Sequence, residues 1–458
     1  MNIDTHPCFN PKACKSHGRV HLPVAPRCNI QCNFCNRKFD CVNESRPGVS
    51  SSILNPLQAM AYLDKVMGAK KNISVVGIAG PGDPFANPDE TLTTLKMVRR
   101  KYPDMLLCVA TNGLNLPDYL DDLAELKVSH VSITINAVDP RIGEGIYSWV
   151  RFGKKSLPPS KGAALILEKQ MESVNGLKGR GIIVKVNTIV LPGINDHHVI
   201  DIAREMAKHH VDLLNCMPYY PNEGSNFSHL KEPSAQSISK IQSDAKKHIP
   251  QMLHCKRCRA DAVGMLDEQP NMELMDSLRE CASQRHPYEN EFVFQQKQHE
   301  KKHASGQTQH GKNNVSQQNR HQNNSSLFSE HSFVAVATRE GVLVNQHLGE
   351  AKELNIYDIR NERPQLVDRR ELPQPGGMDL RWHTIADILK DCHHILVSGI
   401  GDAPRRVLTE RGFNVLTVNG LIPEVIHAVK HEDDITHLLK REPSLCMAEC
   451  SGSGMGCM

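Results

Sequence analysis

The 458-residue sequence lacks three features that mark broad classes of protein. It has no apolar run near the roughly 20 residues that a transmembrane helix requires. Its first residues, MNIDTHPCFNPKACKSHG, contain no apolar stretch typical of a signal peptide. The formal net charge is only +3, so charge gives no support to nucleic-acid binding. We therefore expect a cytoplasmic protein that binds neither membrane nor nucleic acid.

Cysteine, in contrast, is abundant, with 15 residues in the chain. In a reducing compartment thiols are kept free for metal binding or catalysis and do not form disulfides. Most of the cysteines lie before residue 282, many in short-spaced pairs, and three crowd the last residues of the chain. This distribution favours metal sites.

Short β-branched runs alternate with helical patterns up to about residue 260, which predicts parallel strands joined by crossover helices. The candidate strands are VHLPVAP before residue 27, 74–80, 106–113, 130–137, 182–190 and 213–220. Six such strands predict an α/β fold with a partial (β/α)6 TIM-like barrel. Polar or glycine-rich stretches follow the strands (AGPGDP, TNG, TINA and PGIND), where barrel folds place their working loops.

The composition predicts four segments. Residues 1–284 form the barrel with a cysteine-containing leader and a CxxC extension, and 285–330 form a flexible Gln/Asn/His-rich linker. Residues 331–445 form a smaller α/β domain, and 446–458 form a tail containing Cys446, Cys450 and Cys457. The second domain begins with a strand, a turn at Glu340-Gly341 and two further strands. Its GIGDAP sequence lacks the dinucleotide fingerprint and the P-loop lysine, which favours a plain strand-to-helix turn.

The most specific chemistry lies in CNIQCNFC, which contains Cys28, Cys32 and Cys35. This spacing lets one short loop deliver three thiolates to one [4Fe-4S] cluster and leaves the fourth iron open. An open iron can chelate the methionine portion of S-adenosylmethionine (SAM). The alternative is a zinc site, which normally has a fourth Cys or His ligand. Phe34, just before the last cysteine, and the glycine-rich AGPGDP after the next strand both match features of radical SAM enzymes. These matches favour the iron–sulfur interpretation.

Further potential ligands surround this motif. His21, on the entering strand, Cys41, in the same loop, and Cys108, in the third strand, are placed to converge within the barrel. The leader cysteines and the HCKRC pair are placed to make a second site; they are Cys8, Cys14, Cys255 and Cys258. The alternatives are a structural buried thiol for Cys108 and a hydrogen-bonded core histidine for His21.

The run CNIQCNFCNRKFDCVNESRPGVSS, the leader cysteines, HGRVHLPVAPRC and HCKRCRADAVG together resemble the NifB family of nitrogenase cofactor biosynthesis proteins. The resemblance implies a radical SAM enzyme that fuses two [4Fe-4S] clusters, K1 and K2, with a SAM-derived carbide and an added sulfur. It implies that Cys28, Cys32 and Cys35 hold the SAM cluster. The implied substrate-cluster ligands are His21, Cys41 and Cys108 for K1, and Cys14, Cys255 and Cys258 for K2, with Cys8 as an alternative or additional K2 ligand.

Other roles follow from the same resemblance. Glu44 and Arg46 would act near the reacting carbon, because a methyl that becomes carbide must lose its protons; the alternative is a structural ion pair. The implied SAM contacts are Gly80, Gly82, Asp83, Asn136 and Asn187.

The region 331–445 resembles the NifX/NifY-type module, which has a ribonuclease H-like fold and is associated with binding of cofactor precursors. The implied partners are iron–sulfur assembly and carrier proteins of nitrogenase maturation, SAM and an electron donor. Two other functions stay open on the residues alone: another radical SAM enzyme with auxiliary clusters, and a non-catalytic iron–sulfur scaffold or carrier.

Overall fold

The structure is a computed structural model that describes residues 3–43, 45–153, 155–266, 268, 271–283, 333–360, 364–374, 379–431, 435 and 438. Glu44, the predicted linker 285–330 and the three cysteines of the tail lie outside these residues. The chain divides into two compact units between residues 287 and 288. Within the described ranges, no helix combines the length and apolarity needed to cross a membrane.

The first unit is built around a sheet of mostly parallel strands. The strands of this unit are β1 Gly18–His21, β2 Ile30–Cys32, β3 Ile73–Ile78, β4 Leu106–Thr111, β5 His130–Thr134, β6 Tyr147–Phe152, β7 Lys155–Leu157, β8 Ile183–Val190, β9 Leu213–Pro218 and β10 Val263–Gly264. Strands β1, β3, β4, β5, β8 and β9 lie side by side in that order and run parallel, and β10 pairs antiparallel with β1. The predicted partial barrel is confirmed.

Helices connect the parallel strands and follow the last of them. They are α1 Pro56–Ala69, α2 Pro88–Lys101, α3 Leu120–Glu125, α4 Pro140–Ile146, α5 Pro159–Gly179, α6 Val199–Lys208, α7 Ala235–Ala245 and α8 Met272–Ser283. Strand β4 is buried along its whole length, and seven of the eight residues of β8 are buried. Continuous burial is expected of parallel strands that are enclosed on both faces. Strand β8 nevertheless carries the buried polar residues Lys185, Asn187 and Thr188.

A small sheet, which the sequence analysis did not predict, packs against the cysteine loop. Strand β2 pairs antiparallel with β6, and β6 pairs antiparallel with β7. Phe34 is fully buried in the apolar cluster that also contains Tyr147 and Tyr219. The loop that carries Cys28, Cys32 and Cys35 is therefore fixed by strand pairing and by an aromatic anchor.

The second unit contains a five-stranded mixed sheet. Its strands and helices are β11 Phe333–Val336, β12 Glu353–Asp358, β13 Gln365–Glu371, α9 Asp379–Ile388, β14 Cys392–Val397, α10 Asp402–Glu410, β15 Asn414–Thr417 and α11 Ile422–Lys430. The order is β13-β12-β11-β14-β15, with antiparallel pairs on the β12 side of β11 and parallel pairs on the β14 side. This arrangement agrees with the predicted small α/β domain of ribonuclease H-like type.

One predicted strand of this unit is wrong. Residues 342–347, which directly follow the turn at Glu340-Gly341, form only isolated bridges, between Leu343 and Leu421 and between His347 and Gly399. Their bridge partners lie beyond the ends of β15 and β14. The segment therefore crosses the strand ends and does not extend the sheet.

We expect the N-terminal cap of α1 to stabilise the first unit. The Asn55 side chain accepts a hydrogen bond from the Gln58 amide at 2.9 Å, and the Gln58 side chain accepts one from the Asn55 amide at 2.9 Å. Asn55→Ala should lower the free energy of unfolding by about 1 kcal/mol, measured by urea denaturation of cluster-free protein. Asn55→Asp keeps the acceptor and should unfold like the parent. An unchanged alanine variant would show that the cap contributes nothing.

Candidate functional site

The thiols of Cys28, Cys32 and Cys35 line one cavity of about 440 Å³, which we call the first cavity. Cys32 ends β2, and the buried Phe34 fixes the turn between Cys32 and Cys35. The described residues that complete the lining are Ile30, Arg37, Cys41, Asn43, Gly82, Asp83, Ala110, Thr111, Asn112 and Thr134. The structure therefore brings the three predicted cluster thiols together beside Gly82 and Asp83.

The cysteine loop is fastened to the loop after β3 by backbone hydrogen bonds. Gly82 N donates to the Ala25 carbonyl at 2.6 Å, and Asp83 N donates to the Arg27 carbonyl at 2.7 Å. A Cβ atom on Gly82 would lie 2.1 Å from the Arg27 carbonyl oxygen. Only glycine permits this approach, so Gly82 has a clear structural role. Gly80, at φ +138°, accepts a hydrogen bond from Ala25 N through its carbonyl.

Asp83 is buried and organises the loop after β4. Its carboxylate accepts hydrogen bonds from the Thr111 hydroxyl, from Asn112 N at 2.6 Å and from Phe85 N at 2.9 Å. Burial raises the pKa of Asp83, against these stabilising hydrogen bonds. Asn112 in turn donates to Asn29 Oδ1 at 2.7 Å and lies 3.9 Å from Cys28 Sγ. The TNG motif marks this loop in the sequence. No local pattern predicts that Asn112 contacts Asn29 and Cys28, because these residues are far apart in the chain.

The first cavity suits an iron–sulfur cluster, whose cationic core binds thiolates. Burial raises the pKa of Cys28 and Cys35 to about 12 and also raises that of Cys32, with neighbouring thiols adding to the effect. Such thiols become thiolates when a bound cation stabilises them. Within the described residues, no three His, Cys, Asp or Glu side chains converge on a single ion. Three thiols spread around one cavity are the donor set of a [4Fe-4S] cluster with an open iron.

A second cavity, of about 600 Å³, adjoins the first and is lined by residues nearer the amino ends of β4 and β5. The potential cluster ligands in its lining are His21, Cys108, Cys8, Cys255 and Cys258. His21 pairs with Gly77 across β1 and β3, and Gly77 pairs with Cys108 across β3 and β4. Directly paired residues share a face of the sheet, so the imidazole and the thiol flank a position that has no side chain. A Cβ on Gly77 would lie 2.8 Å from His21 Cδ2.

The imidazole of His21 is arranged as metal-binding histidines usually are. Its Nδ1 donates to the Arg259 carbonyl at 3.2 Å, which leaves the Nε2 lone pair available. Burial lowers the pKa of His21 to about 4, and the charge of Arg19 adds to this effect. The ring is therefore neutral near pH 7, in the form and orientation in which histidine binds metals.

The structure distinguishes the two leader cysteines. Cys8 lies in the second cavity with Cys255 and Cys258, and both thiols of the pair influence the pKa of Cys8. Cys14 Sγ donates to the Pro11 carbonyl at 3.0 Å and is not among the described residues that line either cavity. The thiol that accompanies the CxxC pair is thus that of Cys8, where the sequence analysis had given Cys14 the main role.

The other predicted site residues are divided among several places. Cys41 lines the first cavity, and Asn187 lines the second and accepts from Asn215 Nδ2 at 3.0 Å. Asn136 is fully buried and accepts from Ile189 N at 2.9 Å. Arg46 is exposed, donates to the Arg257 carbonyl at 3.3 Å, and lines a third cavity. Roles for these residues stay predictions, as does that of Glu44, which lies outside the described residues.

Cations surround the second cavity. Lys185 is only 6% exposed, and its Nζ lies 5.1 Å from the centre of the Phe9 ring. Arg19 donates from Nη2 to Cys258 Sγ at 2.8 Å. Lys256 and Arg257 complete the set, and the described lining contains no carboxylate. A cavity lined by cations favours an anionic occupant. No sequence pattern marked Lys185 or Arg19 for this role.

The comparisons with known proteins agree with this geometry. The family model of the Radical SAM superfamily matches residues 22–206, and the model for dinitrogenase iron-molybdenum cofactor matches residues 331–432. The FeMo cofactor biosynthesis protein NifB of Chlorobaculum tepidum is 46% identical over 461 residues, which cover 100% of this chain and 99% of that protein. This chain belongs to the NifB family. The NifB of Azotobacter vinelandii is 35% identical over 454 residues, which cover 96% of this chain and 88% of that protein.

Among solved structures, methylornithine synthase matches with a TM-score of 0.34 and 15% identity over 57% of this chain and 80% of its own. The NifB membership identifies the chain as a radical SAM enzyme and confirms the family predicted from the cysteine motifs. Its radical SAM domain implies a [4Fe-4S] cluster and SAM as cofactors, and the thiols of the first cavity fit that cluster.

We expect the two leader cysteines to differ in cluster binding. Cys8→Ser should remove a ligand from the second cavity, because serine is a poorer ligand for iron than cysteine. The iron content of the protein should fall by up to one four-iron cluster. Cys14→Ser should leave the iron content unchanged. Iron analysis and Mössbauer spectra of the two anaerobically reconstituted variants provide the measurement. Loss of the same cluster in the Cys14 variant alone would refute the placement of Cys8.

Proposed function

We propose that this chain catalyses the cluster-fusion step of FeMo cofactor biosynthesis. It joins two [4Fe-4S] clusters, a carbon derived from SAM and one added sulfur into an eight-iron precursor. The observation that carries this proposal is the adjacency of two cavities, one lined by the three cluster thiols and the other by five potential cluster ligands. Asn43 and Ala110 line both cavities and form their common boundary.

In the first cavity, Cys28, Cys32 and Cys35 would hold the SAM-binding cluster. That cluster would supply the electron that cleaves SAM, and SAM itself would supply the methyl group and the deoxyadenosyl radical that activates it. The amide of Asn112 would orient Cys28, because Asn112 is fixed by Asp83 and lies within 3.9 Å of the Cys28 sulfur. Arg37 lines the same cavity and donates to the Pro26 carbonyl, which places a cation beside the thiolates.

In the second cavity, the substrate clusters would be held by different donors. His21 and Cys108 would ligate one cluster. Cys41, which lines the first cavity, would be its third ligand from across the boundary, since Cys41 lies two residues from the boundary residue Asn43. A neutral imidazole binds iron more weakly than a thiolate and leaves the cluster less negative. We infer that this mixed ligation makes the first cluster easier to release during fusion.

The second substrate cluster would be held by Cys8, Cys255 and Cys258. Arg19 and Lys185 would offset its negative charge, since Arg19 contacts Cys258 directly and Lys185 lies in the same cavity. The proton acceptor of the reaction stays as predicted from the resemblance, with the carboxylate of Glu44 as the candidate. Arg46, a permanent cation, stays a candidate for a role near the reacting carbon. Iron–sulfur assembly and carrier proteins and an electron donor would supply the clusters and the electrons.

The defining test is anaerobic reconstitution with iron counting and analysis of SAM products. Full loading should give on the order of twelve irons, from three four-iron clusters. Both S-adenosylhomocysteine and 5′-deoxyadenosine should form while the substrate clusters leave as a larger product. An enzyme with ordinary auxiliary clusters would keep its own clusters during turnover, and a carrier would not cleave SAM.

We expect the size of the side chain at position 110 to control communication between the cavities. Along β4, Cys108 and Ala110 share the inner face, and Asn112 follows toward Cys28. Ala110→Val adds two methyl groups at the boundary. With SAM carrying a deuterated methyl group, deuterium transfer into 5′-deoxyadenosine should fall on the order of tenfold or more, while SAM binding persists.

Ala110→Gly is the matched control, because it widens the boundary and should transfer deuterium normally. SAM should bind equally well in both variants to the cluster held by Cys28, Cys32 and Cys35. The change in the EPR signal of that cluster on SAM binding provides the measurement. Normal deuterium transfer in the valine variant would mean that the reacting groups meet elsewhere.

A further inference from the structure

A third cavity, of about 1030 Å³, opens beside the second. The two share the side chains of Asn215, Met217, Met252, Cys255, Lys256 and Arg257. The first and third cavities have no described lining residue in common. The three cavities therefore lie in series, with the proposed cluster chamber in the middle.

The third cavity is open to solvent. Leu253 and Tyr220, both in its lining, are 63% and 38% exposed. Lys256 and Arg46 are also exposed. This cavity is the largest of the three by volume, and it gives a solvent-open approach to Cys255.

The charged residues described in the lining of the third cavity are all cations. Arg46, Lys256 and Arg257 line it, and its described lining contains no carboxylate. Arg257 is buried, and its guanidinium carbon lies 4.9 Å from the centre of the Tyr220 ring. A low-dielectric cleft lined by cations focuses the field and raises the local concentration of anions.

We infer that the third cavity is the port through which anionic iron–sulfur clusters enter the second cavity and the fused precursor leaves it. The inference rests on the proposed function and adds to it a route and a ligand class: thiolate-ligated or sulfide-rich iron clusters of net negative charge. Cys255 lies on the wall that both cavities share, so its thiolate can displace one external ligand of an incoming cluster, which leaves to solvent, before the remaining ligands engage. SAM and its products would use the first cavity.

The test is the rate at which the full-length, cluster-free chain takes up a water-soluble synthetic [4Fe-4S] thiolate complex, without SAM. Lys256→Gln should slow the rate of cluster uptake by the second cavity roughly two- to fivefold at low ionic strength. The uptake rate should also depend less on salt concentration, because a charge at the cavity entrance acts mainly on the rate of association. Lys256→Arg keeps the charge and should load like the parent. Stopped-flow absorbance and freeze-quenched Mössbauer spectra resolve the rates.

Lys208→Gln is a matched control, since Lys208 is an exposed lysine of α6 that lines none of the three cavities. It should change neither rate nor salt dependence. The final iron content shows whether Lys256 acts on entry or on cluster binding. If Lys256 acts only on entry, Lys256→Gln reaches the same final iron content as the parent, but more slowly. Loading of Lys256→Gln at the parental rate and salt dependence, or a lower final occupancy at the parental rate, overturns the inference. A parent chain that never takes up the additional clusters refutes the proposed function instead.

Discussion

Residues 25–27 and 80–83 approach each other so closely that the peptide groups of one segment bond directly to those of the other. This contact depends on the absence of a side chain at Gly82. It fixes the start of the cysteine loop, and a further bond from Cys41 N to the Pro81 carbonyl fixes its end. The position of Asn43, and with it the boundary between the first two cavities, follows from these bonds.

Electrostatics gives the two chambers different character. The first cavity combines thiols with one cation, Arg37, and one buried carboxylate, Asp83, which accepts hydrogen bonds from the chain itself. The second and third cavities carry cations and no carboxylate among their described lining residues. An interior of this kind favours a negatively charged occupant. The cations of the second cavity and its potential cluster ligands are different residues, and both favour an iron–sulfur cluster as the occupant.

Several features of the site are direct consequences of sequence pattern. The short β-branched runs of β3, β4 and β8 alternate with helical patterns, and this alternation predicted parallel strands joined by crossover helices. The spacing of Cys28, Cys32 and Cys35 fixed their delivery by one loop, and that set of thiols is chemically specific. The long NifB-like segments then identified the family. The hairpin of β6 and β7 escaped prediction because its short outer strand is largely exposed and has no apolar pattern.

The sequence by itself therefore determined the barrel, the three-cysteine loop and the family of this protein. The tertiary structure alone decided that Cys8 rather than Cys14 accompanies the CxxC pair, and that Asn187 lies in the second cavity. It also placed Arg46 at the third cavity. These partners are separated by up to about 250 residues, and they meet through strand register and loop path. Local spacing encodes which groups one loop can deliver, whereas only the closed barrel specifies which distant groups share a chamber.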